Sequence, residues 1–192
     1  MRVVLTVLAS AAVLSGCSAE GGQPPDVDAG AAATPASAAG APAGPIPPVR
    51  EPKNLAGILP CLLLTPAQLE ANRIDQPGQP KDVLGSAGCE WGDQAGTREI
   101  RIFVDLGNDV LHNVYAKRET FPVMELTQLA GYPAIRTKDD VDGATCYFRV
   151  ATAERQTLVL GFTWLRQDRE EPCEPAKALA EVVIGNLPPL KV

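Results

Sequence analysis

The sequence predicts an α+β domain in which an antiparallel sheet packs against an N-terminal and a C-terminal helix and is stapled by two disulfides. Several segments alternate apolar and polar residues with a period of two, as strands with one buried face do. Capping signals mark one helix near the start of the domain and another near its end. The domain also contains four cysteines, at Cys61, Cys89, Cys146 and Cys173, and an even number favours disulfides.

The N-terminus has the pattern of a bacterial export signal. Arg2 precedes an apolar run from Val3 to Leu14, which is shorter than the roughly 20 residues that a membrane-spanning helix needs. The run ends in Leu14-Ser15-Gly16-Cys17, which resembles the lipobox of bacterial lipoproteins. The resemblance implies that residues 1–16 are a signal peptide, that Cys17 receives a diacylglycerol, and that its new amino group is acylated. An ordinary signal peptide with a chance cysteine is the alternative.

The number of cysteines agrees with lipidation. The chain has five, so a lipid on Cys17 leaves four, and these can all pair in an oxidising compartment. Two or three acyl chains bind a bilayer stably without a transmembrane helix. We therefore expect a lipid-anchored protein on the extracytoplasmic face of the cell membrane.

The next segment has the composition of a tether. Residues 17–52 comprise the predicted lipidated cysteine and a stretch of mainly Ala, Gly and Pro, which has too few large apolar side chains to offset the entropy of ordering. Residues 53–192 are predicted to form a single domain. The formal net charge of −6 argues against nucleic acid as a partner, because its phosphates require a basic patch.

The opening helix has a dense start signal. Thr65 is the expected N-cap, Pro66 fits the first helical position and Gln68 can close a capping box. Leu64 and Leu69 have the spacing of a hydrophobic staple.

The chain on either side of this start is expected to turn or to form a loop. The helix should end near Arg73, and residues 76–80, rich in Gln, Pro and Gly, read as a loop. A turn at Pro60 is expected just before the helix, with three side chains directed toward the core: Cys61, Leu62 and Leu64.

Period-two alternation predicts the strands. The apolar faces are Ile100, Ile102, Val104 and Leu106; Cys146, Phe148 and Val150; and Leu158, Leu160, Phe162 and Trp164. Cys89 and Trp91 suggest a shorter strand, and residues 123–129 and 132–137 suggest a pair bent at Gly131. The short turns between these segments favour antiparallel pairing.

Two further helices are predicted. The first covers residues 108–117, with Leu111, Val114 and Tyr115 on one side. The closing helix has acidic residues at its start, Glu170, Glu171 and Glu174, which complement the helix dipole. Its buried face is predicted to comprise Cys173, Ala176, Ala180, Val183 and Leu187, and Gly185 with Asn186 is predicted to end it before Pro188 and Pro189.

Several short motifs occur along the domain in a fixed order. They are Pro60-Cys61-Leu62-Leu63 with Leu64-Thr65-Pro66, Cys89-Glu90-Trp91, Gly131-Tyr132-Pro133-Ala134, Cys146, and Pro172-Cys173 with Ala176, Leu179, Ala180, Asn186, Leu187 and Pro188. In these the chain resembles a family of uncharacterised actinobacterial lipoproteins, a domain of unknown function. A weaker likeness is to extracellular sensor domains of actinobacterial receptor kinases, which pair two disulfides with an α/β sandwich around a groove.

Chain order favours one of the three possible disulfide connectivities. It pairs Cys61 with Cys89, and Cys146 with Cys173, so that the opening helix is joined to the first strand and the closing helix to a central strand. A redox role is not expected without a Cys-x-x-Cys motif, and the ligand spacings of a zinc site are absent from the sequence.

Few residues point to catalysis or to metal binding. His112 is the only histidine and is expected to be a solvated surface residue. Asp139, Asp140, Asp142 and Gly143 do not fit an EF-hand register and predict an acidic turn, with a weak calcium contact as the alternative. Adjacent Glu170 and Glu171 are expected to complement the helix dipole instead of forming an acid and base pair. The sequence therefore predicts no metal, no cofactor and no catalytic residue.

Four aromatic residues are candidates for a groove or an interface. They are Trp91, Trp164, Tyr132 and Phe103, of which Trp91 and Trp164 fall on strand faces where core packing is the usual explanation. Phe103 lies opposite the isoleucine face, so a helix must cover it or it must be exposed.

The function class that these features favour is a non-enzymatic, lipid-anchored binding module of the cell envelope. Its expected partner is an envelope protein, a wall polymer or a lipid-like small molecule held between sheet and helix. An envelope enzyme of hydrolase type, with a site built from scattered residues, and a structural or antigenic surface lipoprotein are the alternatives.

Overall fold

The computed structural model of the chain describes residues 45–166 and 170–191. The predicted signal peptide, Cys17 and most of the predicted tether lie outside these residues. The strands are β1 (Gln79–Val83), β2 (Ser86–Gly92), β3 (Arg98–Leu106), β4 (Val123–Leu129), β5 (Tyr132–Lys138), β6 (Thr145–Ala153) and β7 (Gln156–Trp164). The helices are α1 (Pro66–Ala71), α2 (Val110–Ala116) and α3 (Cys173–Asn186), with short 3-10 helices at Pro60–Leu62 and Arg118–Thr120.

In the described residues, the seven strands form one antiparallel sheet in the order β1-β2-β3-β7-β6-β5-β4. Hairpins join neighbours along the chain, and β7 returns to pair with β3 in the centre. The register places Cys89 opposite Ile102, and Ile102 opposite Leu160. The predicted α+β class is confirmed.

One face of the sheet, here called the core face, carries the main hydrophobic core. Its residues alternate along the strands as predicted: Cys89, Trp91, Ile100, Ile102, Val104, Tyr132, Ala134, Cys146, Phe148, Val150, Leu158, Leu160 and Phe162, all of them buried. The closing helix α3 covers this face with Ala176, Leu179, Ala180, Val183 and Ile184. The opening segment adds Leu55, Leu63 and Leu64.

Both predicted disulfides are confirmed. Cys61 pairs with Cys89, and Cys146 pairs with Cys173, with Cα atoms 5.1 and 5.0 Å apart. Cys61 lies in the 3-10 turn before α1, and Cys173 is the first residue of α3. Each disulfide therefore joins a covering segment to a strand of the core face.

The start of α1 is capped as the sequence predicts. The Gln68 amide donates to Thr65 Oγ1 at 3.3 Å, and the Thr65 amide donates to Gln68 Oε1 at 2.9 Å. The helix ends at Ala71, two residues before the predicted end, because Arg73 has a left-handed φ of 58° that breaks the helix.

The other two helices differ from their predictions only in detail. Asp109 caps α2, and Leu111, Val114 and Tyr115 share one side of it as predicted. The last helix ends at Asn186, as predicted, although Gly185 lies within α3 and is not in the left-handed region. Asn186 is held by its side chain, which donates to the Leu63 carbonyl at 2.8 Å.

Two expectations about the opening half are also wrong. Part of the predicted loop at residues 76–80 belongs to β1, whose five residues are all exposed and carry no alternating pattern. This edge strand exists because β2 supplies its hydrogen-bond partners. Leu62, expected to face the core, is 72% exposed, and Leu63 is buried in its place because the 3-10 turn rotates the chain.

The packing of the domain extends N-terminal to Lys53, where the sequence predicts its start. Ile46 is buried, and the Glu51 carbonyl accepts a hydrogen bond of 2.7 Å from the Tyr132 hydroxyl. The Lys53 amide donates to the Thr152 carbonyl at 2.8 Å. Within the described ranges, none of the helices has the length and the apolar character needed to span a bilayer.

Candidate functional site

The face of the sheet opposite the core, here called the groove face, carries the candidate site. At one level across it, the register aligns Gly88 on β2, Phe103 on β3, Val159 on β7, Arg149 on β6 and Ile135 on β5. This set is here called the Phe103 row. It places a large apolar side chain and a cation on the same surface, two strands apart.

Two glycines let aromatic rings lie flat on the groove face. A Cβ atom on Gly88 would meet Phe103 Cδ1 at 2.2 Å, and one on Gly161 would meet Tyr147 Cε1 at 2.7 Å. Each glycine is the cross-strand partner of the residue whose ring covers it. Glycine inside a strand marks such close approach, and here it keeps the rings down against the backbone.

Helix α2 covers part of the groove face. Leu111 packs with Ile135 and Ile46 in a second small hydrophobic cluster. Beside this cluster an open groove of about 710 Å³, here called the Phe103 groove, remains between α2 and the sheet. Its apolar lining consists of Val83, Leu84, Phe103, Val110, Val114, Phe121 and Val159. The size lies in the range of small-molecule sites, about 300–1,000 Å³.

Six of the thirteen residues that line the Phe103 groove are polar. Arg149 lies on β6, Ser86 and Asp105 lie on β2 and β3, and Asn108, Asn113 and Lys117 belong to α2 and its flanking turns. Asp105 is engaged within the chain, since the Asn108 amide donates to its two carboxylate oxygens at 3.0 and 3.2 Å.

Arg149 is the unusual group of this groove. Its guanidinium lies 5.5 Å from the centre of the Tyr147 ring and 5.8 Å from that of Phe121, and it donates to Thr137 Oγ1 at 2.7 Å. Burial lowers the pKa of Arg149, while Asp139 acts in the opposite direction through its charge. Among the described residues, no carboxylate forms an ion pair with it.

Arg101, on the same face, forms ion pairs with carboxylates, unlike Arg149. It donates to Glu90 at 2.8 Å and contacts Glu99 at 2.7 Å, and Lys81 pairs with Glu90 at 3.2 Å. Burial tends to raise the pKa of Glu90, but the hydrogen bonds from Arg101 and Lys81 outweigh it and hold that pKa below its ordinary value. These charges neutralise one another, and they lie outside the groove.

The four candidate aromatic residues are not brought together. Trp91 and Tyr132 are buried in the core face. Trp164 packs at the edge of the core, where its ring contacts Phe162 at 4.9 Å and lies under the Arg98 guanidinium at 5.0 Å. Only Phe103 lies on the groove face, half-buried and partly covered by α2, as its position opposite the isoleucines predicted.

His112 lines a separate depression of about 1070 Å³ between α2, the chain near Pro48 and the turn at Glu154. Its Nδ1 lies 2.7 Å from Asp109 Oδ1, and both side chains are about half exposed. Asp109 also accepts from the His112 amide, so helix capping explains the pair. The described residues that line this depression include no serine or cysteine.

The acidic residues have structural roles. Asp140 accepts from the Asp142 and Gly143 amides in the turn before β6. Glu171 accepts from the Cys173 amide at the start of α3 and pairs with Lys138 at 3.3 Å. In the part of the chain that the structure describes, no cluster of His, Cys, Asp or Glu could hold a metal ion.

Sequence reasoning missed Arg149 and the two glycines of the groove face. A signal existed, because Gly161 is a glycine within the predicted β7 strand and Arg149 lies between Phe148 and Val150 within the predicted β6 strand. Gly88, directly before Cys89, gave the same signal in β2.

These observations define the class of the protein: a small α+β domain, stapled by two disulfides, with a groove on the face of its sheet that α2 only partly covers. The chain belongs to the family described as "Protein of unknown function (DUF3558)", whose match covers residues 12–186. The matched range includes both disulfides and all the residues of the Phe103 groove. No curated protein and no solved structure matches the chain significantly.

Proposed function

We propose that the chain is a lipid-anchored, non-enzymatic binding module of the actinobacterial cell envelope, whose domain holds a lipid-like small molecule in the Phe103 groove. The observation that carries the proposal is the half-buried position of Phe103 in an apolar groove on the face opposite the core. Concave, mainly apolar sites with a few polar groups are typical of small-molecule binding.

The shape of the surface supports a small molecule over the other partners. An envelope protein would favour a flat exposed apolar patch, and a wall polymer would favour a polar cleft. Seven of the thirteen residues that line the Phe103 groove are apolar, and they include the two rings of Phe103 and Phe121. A structural or antigenic role would require no groove.

Two features support the envelope location. Leu14-Ser15-Gly16-Cys17 resembles a lipobox, and all four remaining cysteines are paired. Disulfides persist in oxidising compartments outside the cytoplasm. The groove would then lie on a domain tethered near lipid.

The binding proposal is tested with a neutral apolar fluorophore, N-phenyl-1-naphthylamine, titrated into the purified protein. We expect saturable binding to the native chain and weaker binding to Phe103→Ala. Val141→Ala is the matched control, because Val141 is apolar and exposed but lies outside the groove. The same affinity in all three proteins, or no binding, would remove the support for the groove as a ligand site.

The anchor is tested by mass spectrometry of the protein extracted from bacterial membranes. The expected N-terminal peptide begins at Cys17 and carries the mass of a diacylglyceryl group. Cys17→Ser should abolish the modification, whereas the neighbouring Ser18→Ala should leave it unchanged. An unmodified Cys17 on an uncleaved chain would overturn the anchor.

A further inference from the structure

We infer that the Phe103 groove takes a single-chain amphiphile with an anionic head group, whose carboxylate or phosphate binds the Arg149 guanidinium. The inference rests on the proposed function and adds to it the charge and the orientation of the ligand.

The Arg149 guanidinium is positioned to bind an anion. The Phe121 and Tyr147 rings lie 5.8 and 5.5 Å from it, and its hydrogen bond to Thr137 Oγ1 restricts its position. Arginine presents five N–H donors in a rigid fork that matches carboxylate and phosphate oxygens. One donor group binds Thr137, Arg149 forms no other side-chain hydrogen bond within the described residues, and it lines the groove.

A partly buried arginine without an ion pair lowers the stability of the folded state. Partial removal of a cation from water is unfavourable unless an anion compensates it. Arg101, on the same sheet face, is compensated by two glutamates, whereas no described carboxylate pairs with Arg149. The charge of Asp139 acts on Arg149 without an ion pair, and a bound anion would add direct compensation.

The rest of the groove fits an apolar tail. From Arg149 the Phe103 row continues with Val159 and Phe103, which form an apolar floor. Val110 and Val114 of α2 form the wall above it. A head group at Arg149 therefore directs the tail across β7 and β3 toward the hairpin turn at Leu84.

The charges around the groove favour the same orientation. Lys117, the residue after α2, adds a second cation to the lining, and Asp105 on β3 is the carboxylate of the lining, two strands from Arg149. An anionic head is attracted to Arg149 and repelled by Asp105. A zwitterionic or cationic head does not gain from this arrangement.

The test compares decanoate and decyl phosphate, each below its critical micelle concentration, with decan-1-ol below its solubility limit, by calorimetric titration near neutral pH. The three probes share one tail and differ in the head. On the native protein we expect at least one anionic probe to bind roughly ten-fold more tightly than the alcohol, the value of one charge-assisted hydrogen-bonded contact. The relative affinities of decanoate and decyl phosphate identify the head group.

Two variants test whether Arg149 causes the preference for an anionic probe over the alcohol. Arg149→Gln should abolish the difference between anionic probe and alcohol without weakening the alcohol. Arg101→Gln, the matched control, removes an arginine from the same face outside the groove and should keep the difference. The comparison of probes on the native protein needs no variant, so it stands even where Arg149→Gln does not fold.

The outcomes separate the two proposals. Equal affinities for the alcohol and both anions, or a preference that persists in Arg149→Gln, would overturn the anion site while leaving an apolar ligand in place. Failure of all three probes and of the neutral fluorophore to bind would overturn the proposed function as well.

Discussion

Leu84 occupies the first central position of the two-residue turn between β1 and β2. Its φ is 53° and that of Gly85 is 84°, which places both residues in the left-handed region. The Leu84 side chain is fully exposed. A left-handed conformation costs an ordinary residue about 1–2 kcal/mol, and Asn tolerates it better than Leu. Neither backbone nor burial favours leucine here, but the side chain lines the Phe103 groove.

Leu84→Asn should therefore raise stability and lower ligand binding together. We expect the free energy of unfolding in guanidinium to rise by about 1 kcal/mol, because Asn-Gly suits this turn. The affinity for N-phenyl-1-naphthylamine should fall. Ala130→Asn is the matched control, since Ala130 and Gly131 form the same kind of turn, with φ values of 48° and 85°, away from the groove. It should stabilise without affecting binding.

Asp93 organises the connection between β2 and β3. It accepts hydrogen bonds from the Thr97 amide at 2.6 Å and the Arg98 amide at 3.2 Å, and from the Thr97 hydroxyl. Burial tends to raise the pKa of Asp93, but these hydrogen bonds and the charge of Arg98 outweigh it and lower that pKa. The folded state therefore favours the ionised carboxylate.

Asp93→Asn should destabilise the protein in a way that depends on pH. A carboxylate with a lowered pKa in the folded state stabilises fully above its ordinary pKa of about 3.9, and this contribution is lost as the pH falls through the folded value. We expect a loss of about 2 kcal/mol near neutral pH that shrinks on acidification. Urea unfolding across this pH range measures it, and a cost independent of pH would contradict the assignment.

At the scale of elements, the disulfides connect the two segments that cover the core face to the sheet. The Cys61–Cys89 bridge holds a 3-10 turn, and the Cys146–Cys173 bridge holds the start of α3. They close loops with sequence separations of 28 and 27 residues. On the chain-entropy account, each such loop contributes about 3–4 kcal/mol.

Replacing both cysteines of either bridge by alanine should lower the free energy of unfolding by about 3–4 kcal/mol. Both bridges lie on the core face, so probe binding in the Phe103 groove should persist while the variant remains folded. Guanidinium unfolding and fluorophore titration measure the two properties on the same samples. An unchanged unfolding midpoint would show that the bridge does not constrain the unfolded chain.

Local sequence patterns were sufficient to predict most of the strands and helices. The alternation in β3, β6 and β7 assigned the buried face, and the Thr65–Gln68 capping box placed the start of α1. β1 could not be predicted, because its exposed residues have no pattern and only pairing with β2 makes them a strand.

The candidate site was less predictable than the fold. The position of Phe103 opposite the isoleucines pointed to the groove face, but its alignment with Arg149 depends on two registers, β3 with β7 and β7 with β6. The hairpin sets the register of β6 with β7, but β3 and β7 are distant in sequence and depend on tertiary packing. Tyr132 could not be separated from Phe103 by residue type, and its burial in the core became evident only from the fold.

Considered as a whole, the molecule has two unlike sides. On the core face, α3 is joined covalently to β6 and packs with a row of buried apolar residues. On the groove face, α2 is shorter and has Leu111 as its buried residue. In the described residues, both covalent cross-links lie on the core side.

This unequal attachment has a kinetic consequence. Local opening should be graded across the sheet, with the amides of α2 exchanging hydrogen for deuterium faster than those of α3. A bound amphiphile should slow exchange in α2 and leave α3 unchanged, which mass-resolved exchange can measure. Equal protection of both helices in the free protein would contradict the grading. The half of the domain that carries the open Phe103 groove would then fluctuate while the cross-linked half stays closed.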